Sequence, residues 1–256
     1  MNAFLRALLT TASSIAVVTC FAFLGDASLA VVAEKAISDD VQHTAGLDIA
    51  PHVRVGGVPF SAGFAQNKLK EVSIGISDIS VPTFGLVRAN TVLTEVAVDR
   101  NHILNGQLEG STAQLISRTI GLDAVAIGSL IGIHDLELSN PYDISPSGGT
   151  ASEVQLRGTP AHYEKPVTVT ASLRLIGSAF YLTPTTLIAG DEHKKAEIFK
   201  TFSLTFDTTT LPMGDQASYV YLSGGNIYFQ SQKRNVTITK DDLSPIVSHP
   251  QATREN

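Results

Sequence analysis

The spacing of apolar residues changes near residue 53, from a helical period to a period of two. Before that point, residues 7–24 (ALLTTASSIAVVTCFAFL) form an uncharged apolar run. Its length borders on the ~20 residues a membrane-spanning helix needs. The run has no polar face, which argues against a half-buried helix of a soluble core. Helical spacing continues beyond it in Leu29, Val32, Ala33, Ala36, Ile37 and Val41. Ser28-Leu29-Ala30 also has the small-x-small form of a signal-peptide cleavage site. Residues 1–30 are therefore expected to be a membrane anchor or a signal peptide. Either one places the rest of the chain outside the cytoplasm.

After residue 53 the chain alternates. In residues 70–77 (KEVSIGIS), Val72, Ile74 and Ile76 share one face. In residues 91–98 (TVLTEVAV), Val92, Val96 and Val98 are expected to align. Residues 165–175 (KPVTVTASLRL) alternate cleanly, with Val167, Val169, Ala171, Leu173 and Leu175 facing one way. Phe202, Leu204 and Phe206 alternate with Ser203 and Thr205. Residues 219–230 hold two strands around Ser223-Gly224-Gly225-Asn226, where paired glycines supply the positive φ of a tight hairpin. One-sided strands of this kind belong to antiparallel sheets with one solvated face.

Two helical pieces are expected among the strands. Ser111-Thr112-Ala113-Gln114 has capping-box form. Leu115, Ile116, Thr119 and Ile120 then form a stripe closed by Gly121. The second piece is short, residues 61–69, after Pro59-Phe60. The fold class is thus α+β and predominantly antiparallel: a long curled sheet closed by one or two helices. One domain is expected over residues 31–245, followed by a frayed polar tail, residues 246–256.

Composition narrows the function. Charged residues are only 16% and apolar residues 43%, which excludes a disordered chain. The net charge of −6 excludes a basic nucleic-acid surface and broad docking on anionic lipid. Any lipid contact must be apolar and local. The single cysteine, Cys20, lies in the apolar run, so no disulfide framework or thiolate metal site is expected.

Candidate chemistry is sparse. The strained G-x-S-x-G turn of serine hydrolases is absent from the folded part; Gly25-Asp26-Ala27-Ser28-Leu29 lies in the targeting segment. His134-Asp135 would point to opposite faces if they lay on a strand. The histidines never fall at H-x-x-x-H spacing. Asp39-Asp40 and Asp241-Asp242 read as charge pairs at element ends. Glu192, Lys194, Lys195 and Glu197 read as a polar loop. No catalytic residue, metal or cofactor is assigned. Gly56-Gly57 permits close backbone approach, and Pro59-Phe60 then presents aromatics at a turn. Val58, Pro59, Phe60 and Phe64 are the candidates for a groove mouth or a membrane-dipping edge. The competing reading makes Phe60 and Phe64 an i,i+4 pair that fills the core.

Several segments, taken in order, resemble a known family. Val53-Arg54-Val55-Gly56-Gly57-Val58-Pro59-Phe60 resembles the x-V-x-I/V-G-G-F/V-P-F segment of the LmeA-like family of actinobacterial cell-envelope phospholipid-binding proteins. Ile103-Leu104-Asn105-Gly106, then Ala179-Phe180-Tyr181-Leu182-Thr183-Pro184, Leu211-Pro212-Met213-Gly214 and Asn235-Val236-Thr237-Ile238 are similar to later segments of that family. Ser61-Ala62-Gly63 departs from the bulkier apolar start usual there. The resemblance implies an extracytoplasmic protein that binds phospholipid in lipid or lipoglycan handling. The implied fold is similar to elongated tubular lipid-binding domains, and the resemblance transfers no catalytic residue. Acyl chains require an apolar groove closed to water. The expected helix with Leu115 and Ile116, and the helix leaving the membrane, are the candidates to close it. Phospholipid and, through the N-terminal segment, the membrane are the expected partners. Two other functions stay open: a phospholipid acyl hydrolase with an unrecognised site, and a non-catalytic adaptor that binds through a sheet edge.

Overall fold

The computed structural model describes residues 3–57, 59–142 and 149–247; of residues 3–12, 14–20 and 22 it describes the backbone alone. The chain opens with one long helix, α1 (Ala3–Ala45), without a break at Gly25 or Ala30. Its stripe at i, i+4 and i+8 (Ala33, Ile37, Val41) is buried. Leu29 and Val32, expected in the same stripe, are exposed. Among the described residues no helix is long and apolar enough to cross a membrane. The membrane-spanning helix expected at the N-terminus is therefore not shown.

Next come β1 (His52–Gly56), α2 (Phe60–Ala65), β2 (Lys68–Val81) and β3 (Gly85–Ala97). In β2 the alternation holds: Val72 and Ile74 are buried and Ile76 half-buried. In β3 it does not hold throughout. Glu95 takes φ +55°, and the buried positions shift from Leu93 to Val96 and Val98. Val92 thus lies off the face it was expected to share with Val96 and Val98. One residue in the left-handed region re-aims the side chains that follow it, and spacing alone cannot reveal it.

After α3 (Arg100–Leu104) comes β4 (Thr112–Leu122). This corrects the expected capped helix at residues 111–121: Leu115 and Ile116 sit on a strand. The stretch is rich in Thr and Ile, which favour extended backbone. Sheet order places it between β3 and β11 (Asn226–Thr237), so both of its edges are hydrogen-bonded. Toward its end it is buried on both faces, and a short apolar run of that kind has no decisive period. The helix lies just beyond, as α4 (Ala124–Ile131). The Asp123 side chain accepts from Ala126 N, and Gly132, in the left-handed region, ends the helix.

The remaining elements are β5 (Glu137–Ser139), β6 (Glu153–Gly158), β7 (Val167–Ile176), β8 (Ala179–Ala189), α5 (Lys195–Thr201), β9 (Leu204–Asp207), β10 (Tyr219–Ser223) and α6 (Lys240–Leu243). The polar stretch 192–197 is a 3-10 turn leading into α5, not a loop; Ile198 and Phe202, four apart, are its buried signal. The β10–β11 hairpin closes at Gly224 (φ +52°) and Gly225 (φ +75°), as the paired glycines required.

The fold is α+β and mostly antiparallel. One sheet has the order β1-β2-β3-β4-β11-β10 and the other β5-β6-β7-β8-β9. Two compact units are present. Unit 1 comprises Met1–Ile74, Val92–Leu115 and Asn235–Leu243; unit 2 comprises Gly75–Thr91, Ile116–Arg234 and Ser244–Asn256. Unit 2 has a filled core. Phe180 meets Phe229 edge-on at 4.8 Å, and Phe206 lies 5.2 Å from Phe180 and 5.3 Å from Phe84. Beside it, the buried Arg118 donates to the carbonyls of Met213 (2.7 Å) and Ser244 (3.0 Å) and to Thr91 Oγ1 (3.4 Å). A cation taken out of water needs such partners. Here they tie the Leu211–Gly214 turn and the segment at Ser244 to β4.

Candidate functional site

Within unit 1, α1 is joined to its neighbours by specific polar contacts. β1 is an edge strand, and edge strands expose unpaired backbone groups. Glu34 Oε1 accepts from Val55 N at 2.8 Å, and Ser38 Oγ donates to Pro51 O at 2.7 Å, so α1 covers that edge. Gly106 makes the seat close. With φ +73° it lies so near α1 that an added Cβ would fall 2.3 Å from Ala36 O.

The N-terminus of α2 has no capping oxygen of its own, because its N-cap is Pro59. Asp26 of α1 supplies it. Its two carboxylate oxygens accept from Phe60 N (2.8 Å) and Ser61 N (2.7 Å). These bonds, Ser61's above all, hold the Asp26 carboxyl below its usual range.

A cleft of about 210 Å³ opens beside α2. Gly56 and Gly57 at the end of β1 form one side, Phe60 and Gly63 of α2 another, and Lys68 and Lys70 of β2 the third. Glycine makes it possible: a Cβ on Gly63 would stand 2.6 Å from Lys68 O, so α2 lies directly on the β2 backbone. Lys68 is ion-paired with Glu95, and Lys70 is exposed. Pockets that enclose drug-sized molecules run from about 300 to 1,000 Å³. A cleft below that range admits a headgroup but does not enclose two acyl chains.

The residues singled out from sequence divide between α2 and the sheet. Val58 lies outside the described residues. Pro59 is exposed and Phe60 buried, and both line the cleft. Phe64 is half-buried and stacks on Phe60 at 6.3 Å and 29°. Leu115, half-buried, and Ile116, buried, are consecutive residues of β4 and point to opposite faces. Pro59, Phe60 and Phe64 are therefore brought together in α2, while Leu115 and Ile116 belong to the sheet and not to a closing helix. Sequence reasoning passed over Asp26, Gly63, Lys68 and Lys70. The one available signal was Pro59, a helix start that needs an oxygen from elsewhere.

The hydrolase candidates do not assemble. Asp135 accepts from Thr159 N (2.8 Å) and Thr159 Oγ1 (2.7 Å), which hold its carboxyl below the usual range. It is thus engaged by Thr159, and His134 beside it is exposed. Among the described residues no three His, Cys, Asp or Glu side chains gather as a metal ion would need.

Comparison with known proteins adds one match: a family model described as LmeA-like phospholipid-binding covers residues 24–232. No curated protein and no solved structure matches the chain.

Proposed function

The chain belongs to the LmeA-like phospholipid-binding family, and on that premise we propose that it binds phospholipid in an apolar groove on the extracytoplasmic side of a cell envelope, in lipid or lipoglycan handling. The N-terminal segment holds it at the membrane, and Val58, Pro59, Phe60 and Phe64 form part of the lipid-contacting edge. The observation that carries this reading is the extent of the family match, which starts inside α1 and runs into β11. The chemistry of α2 supports the edge assignment. The buried Phe60, stacked on the half-buried Phe64, sits beside a glycine-walled cleft bordered by the exposed Lys70 and by Lys68, which is paired with Glu95, so apolar and cationic groups meet there.

The test is lipid uptake by the full-length chain. The protein is incubated with liposomes, reisolated, and its bound lipid extracted and weighed by mass spectrometry. Intact diacyl phospholipid at a fixed ratio to protein is expected. Protein that returns without lipid refutes the proposal. Lysolipid with free fatty acid would instead mark it as a hydrolase.

A further inference from the structure

We infer that the Gly56–Lys70 cleft with α2 is the surface of unit 1 that meets the headgroup layer of a phospholipid bilayer, and that Asp26 is the positioning residue that fixes it there. The inference rests on the phospholipid reading above and adds which surface faces the bilayer and what holds it.

Asp26 shares one face of α1 with the buried Ala33, Ile37 and Val41. Phe23 lies three residues before Asp26, on the same side, yet it is 64% exposed. Phe21 is 71% and Leu24 55% exposed. At about 100° per residue these three side chains leave the helix in three different directions. Phe23 and the Phe21–Leu24 pair leave opposite sides of α1, and unit 1 covers neither. A helix that is apolar all round is one that lies in an apolar medium. The uncharged run of residues 7–24 leads into this point.

Exposed apolar side chains continue past Asp26 at Val31 and Val32, so it is the charge of Asp26 and not exposure that sets the boundary of that medium. A carboxylate is costly in hydrocarbon, and Asp26 engages α2 with both of its oxygens. Leu24 and Asp26 are ~3 Å apart along the helix axis. The bilayer interface thus falls at the turn of α1 that grips α2.

What Asp26 grips has the right chemistry for that depth. Phe60 and Phe64 give α2 an apolar body. Lys68 and Lys70 border the cleft, and Gly56, Gly57 and Gly63 leave its walls without side chains. Ammonium groups on flexible stems suit phosphate oxygens at an interface. The net charge of −6 leaves little general attraction to anionic lipid, so the contact is local.

The test uses full-length protein with Cys20→Ser and one new cysteine carrying a nitroxide label, in vesicles of phosphatidylcholine and phosphatidylglycerol. Gln66→Cys places the label at the cleft. Asp48→Cys places it beyond the other end of α1, ~30 Å from Asp26 along that helix. Power saturation with oxygen and with a nickel chelate reads depth. The expected result is a headgroup-layer position for the label at 66 and an aqueous one for the label at 48. Asp26→Ala should leave vesicle flotation unchanged while the label at 66 moves toward water. Equal water exposure of the two labels overturns the inference. So does an Asp26→Ala variant with the label at 66 unmoved, or a mature chain that begins beyond Asp26. Protein that takes up phospholipid but never floats with vesicles overturns this inference and leaves phospholipid binding standing.

Discussion

Replacing Gly106 by alanine tests whether α1 is an integral wall of unit 1. Gly106 and Gly110 both occupy the left-handed region, at φ +73° and +80°. An L-residue there costs roughly 1 kcal/mol. The two positions differ in their surroundings. A Cβ on Gly110 would meet nothing within 4 Å, whereas one on Gly106 would fall 2.3 Å from Ala36 O and 2.4 Å from Ala36 C. That obstacle is helix backbone, which cannot rotate aside. The loop and α1 must part by about 1 Å, and overpacking of this kind costs roughly 1–3 kcal/mol. Parting them also loosens Ile37, which is fully buried and contributes on the order of 1.5–3 kcal/mol when packed. Gly106→Ala should therefore lose about 3 kcal/mol and Gly110→Ala about 1 kcal/mol. Urea unfolding of the pair gives the difference, and amide exchange across residues 33–41 locates it. Two variants that agree within about 0.5 kcal/mol, with α1 equally protected, would show that α1 is not seated on this loop.

Other perturbations reach the remaining features. Phe60→Ala should cost about 3–5 kcal/mol in unfolding free energy, because the ring is buried against Phe64; a cost below about 1 kcal/mol would place it on an open surface. Arg118→Met should cost roughly 3 kcal/mol, because the Met213 and Ser244 carbonyls lose buried donors, and a midpoint equal to the parent's would refute that role. Burial, and next the charge of Glu109, push the Asp40 carboxyl above its ordinary 3.8 against the pull of Lys240 and His43. Its stabilising protonation is lost as pH rises through the raised value, so Asp40→Asn should stabilise at neutral pH and not in acid, measured by thermal unfolding. Asp26 has the opposite sign. Its depressed carboxyl holds α2 fully above 3.8 and releases it as pH falls through the lower folded value, so exchange at Phe60 and Ser61 should quicken only in acid.

Much of this protein is written locally. The alternations of β2 and β7, the Gly224-Gly225 hairpin and the Ala33-Ile37-Val41 stripe each depend on residues within one turn or a few positions along a strand. Periodicity reports such features because the side-chain direction repeats with the backbone. The order of the short segments was also enough to identify the family. The rest depends on partners distant in the chain. Residues 112–122 became a strand because β3 and β11 hydrogen-bond both of its edges, and the helix expected there lies just beyond, between Asp123 and Gly132. Glu95 shifts the face of β3 through one backbone dihedral that no alternation predicts. Asp26 reads as a stray acid in a targeting segment until α2, thirty-four residues away, brings it two amides in need of an oxygen. Gly63 reads as one residue of a short helical piece, and Gly106 as the end of a family-like segment, until the Lys68 carbonyl and the α1 backbone occupy the space where a side chain would stand. Local spacing thus determined which faces are apolar. Tertiary packing decided what each face meets, because hydrogen bonds and steric limits act across space between residues far apart in sequence.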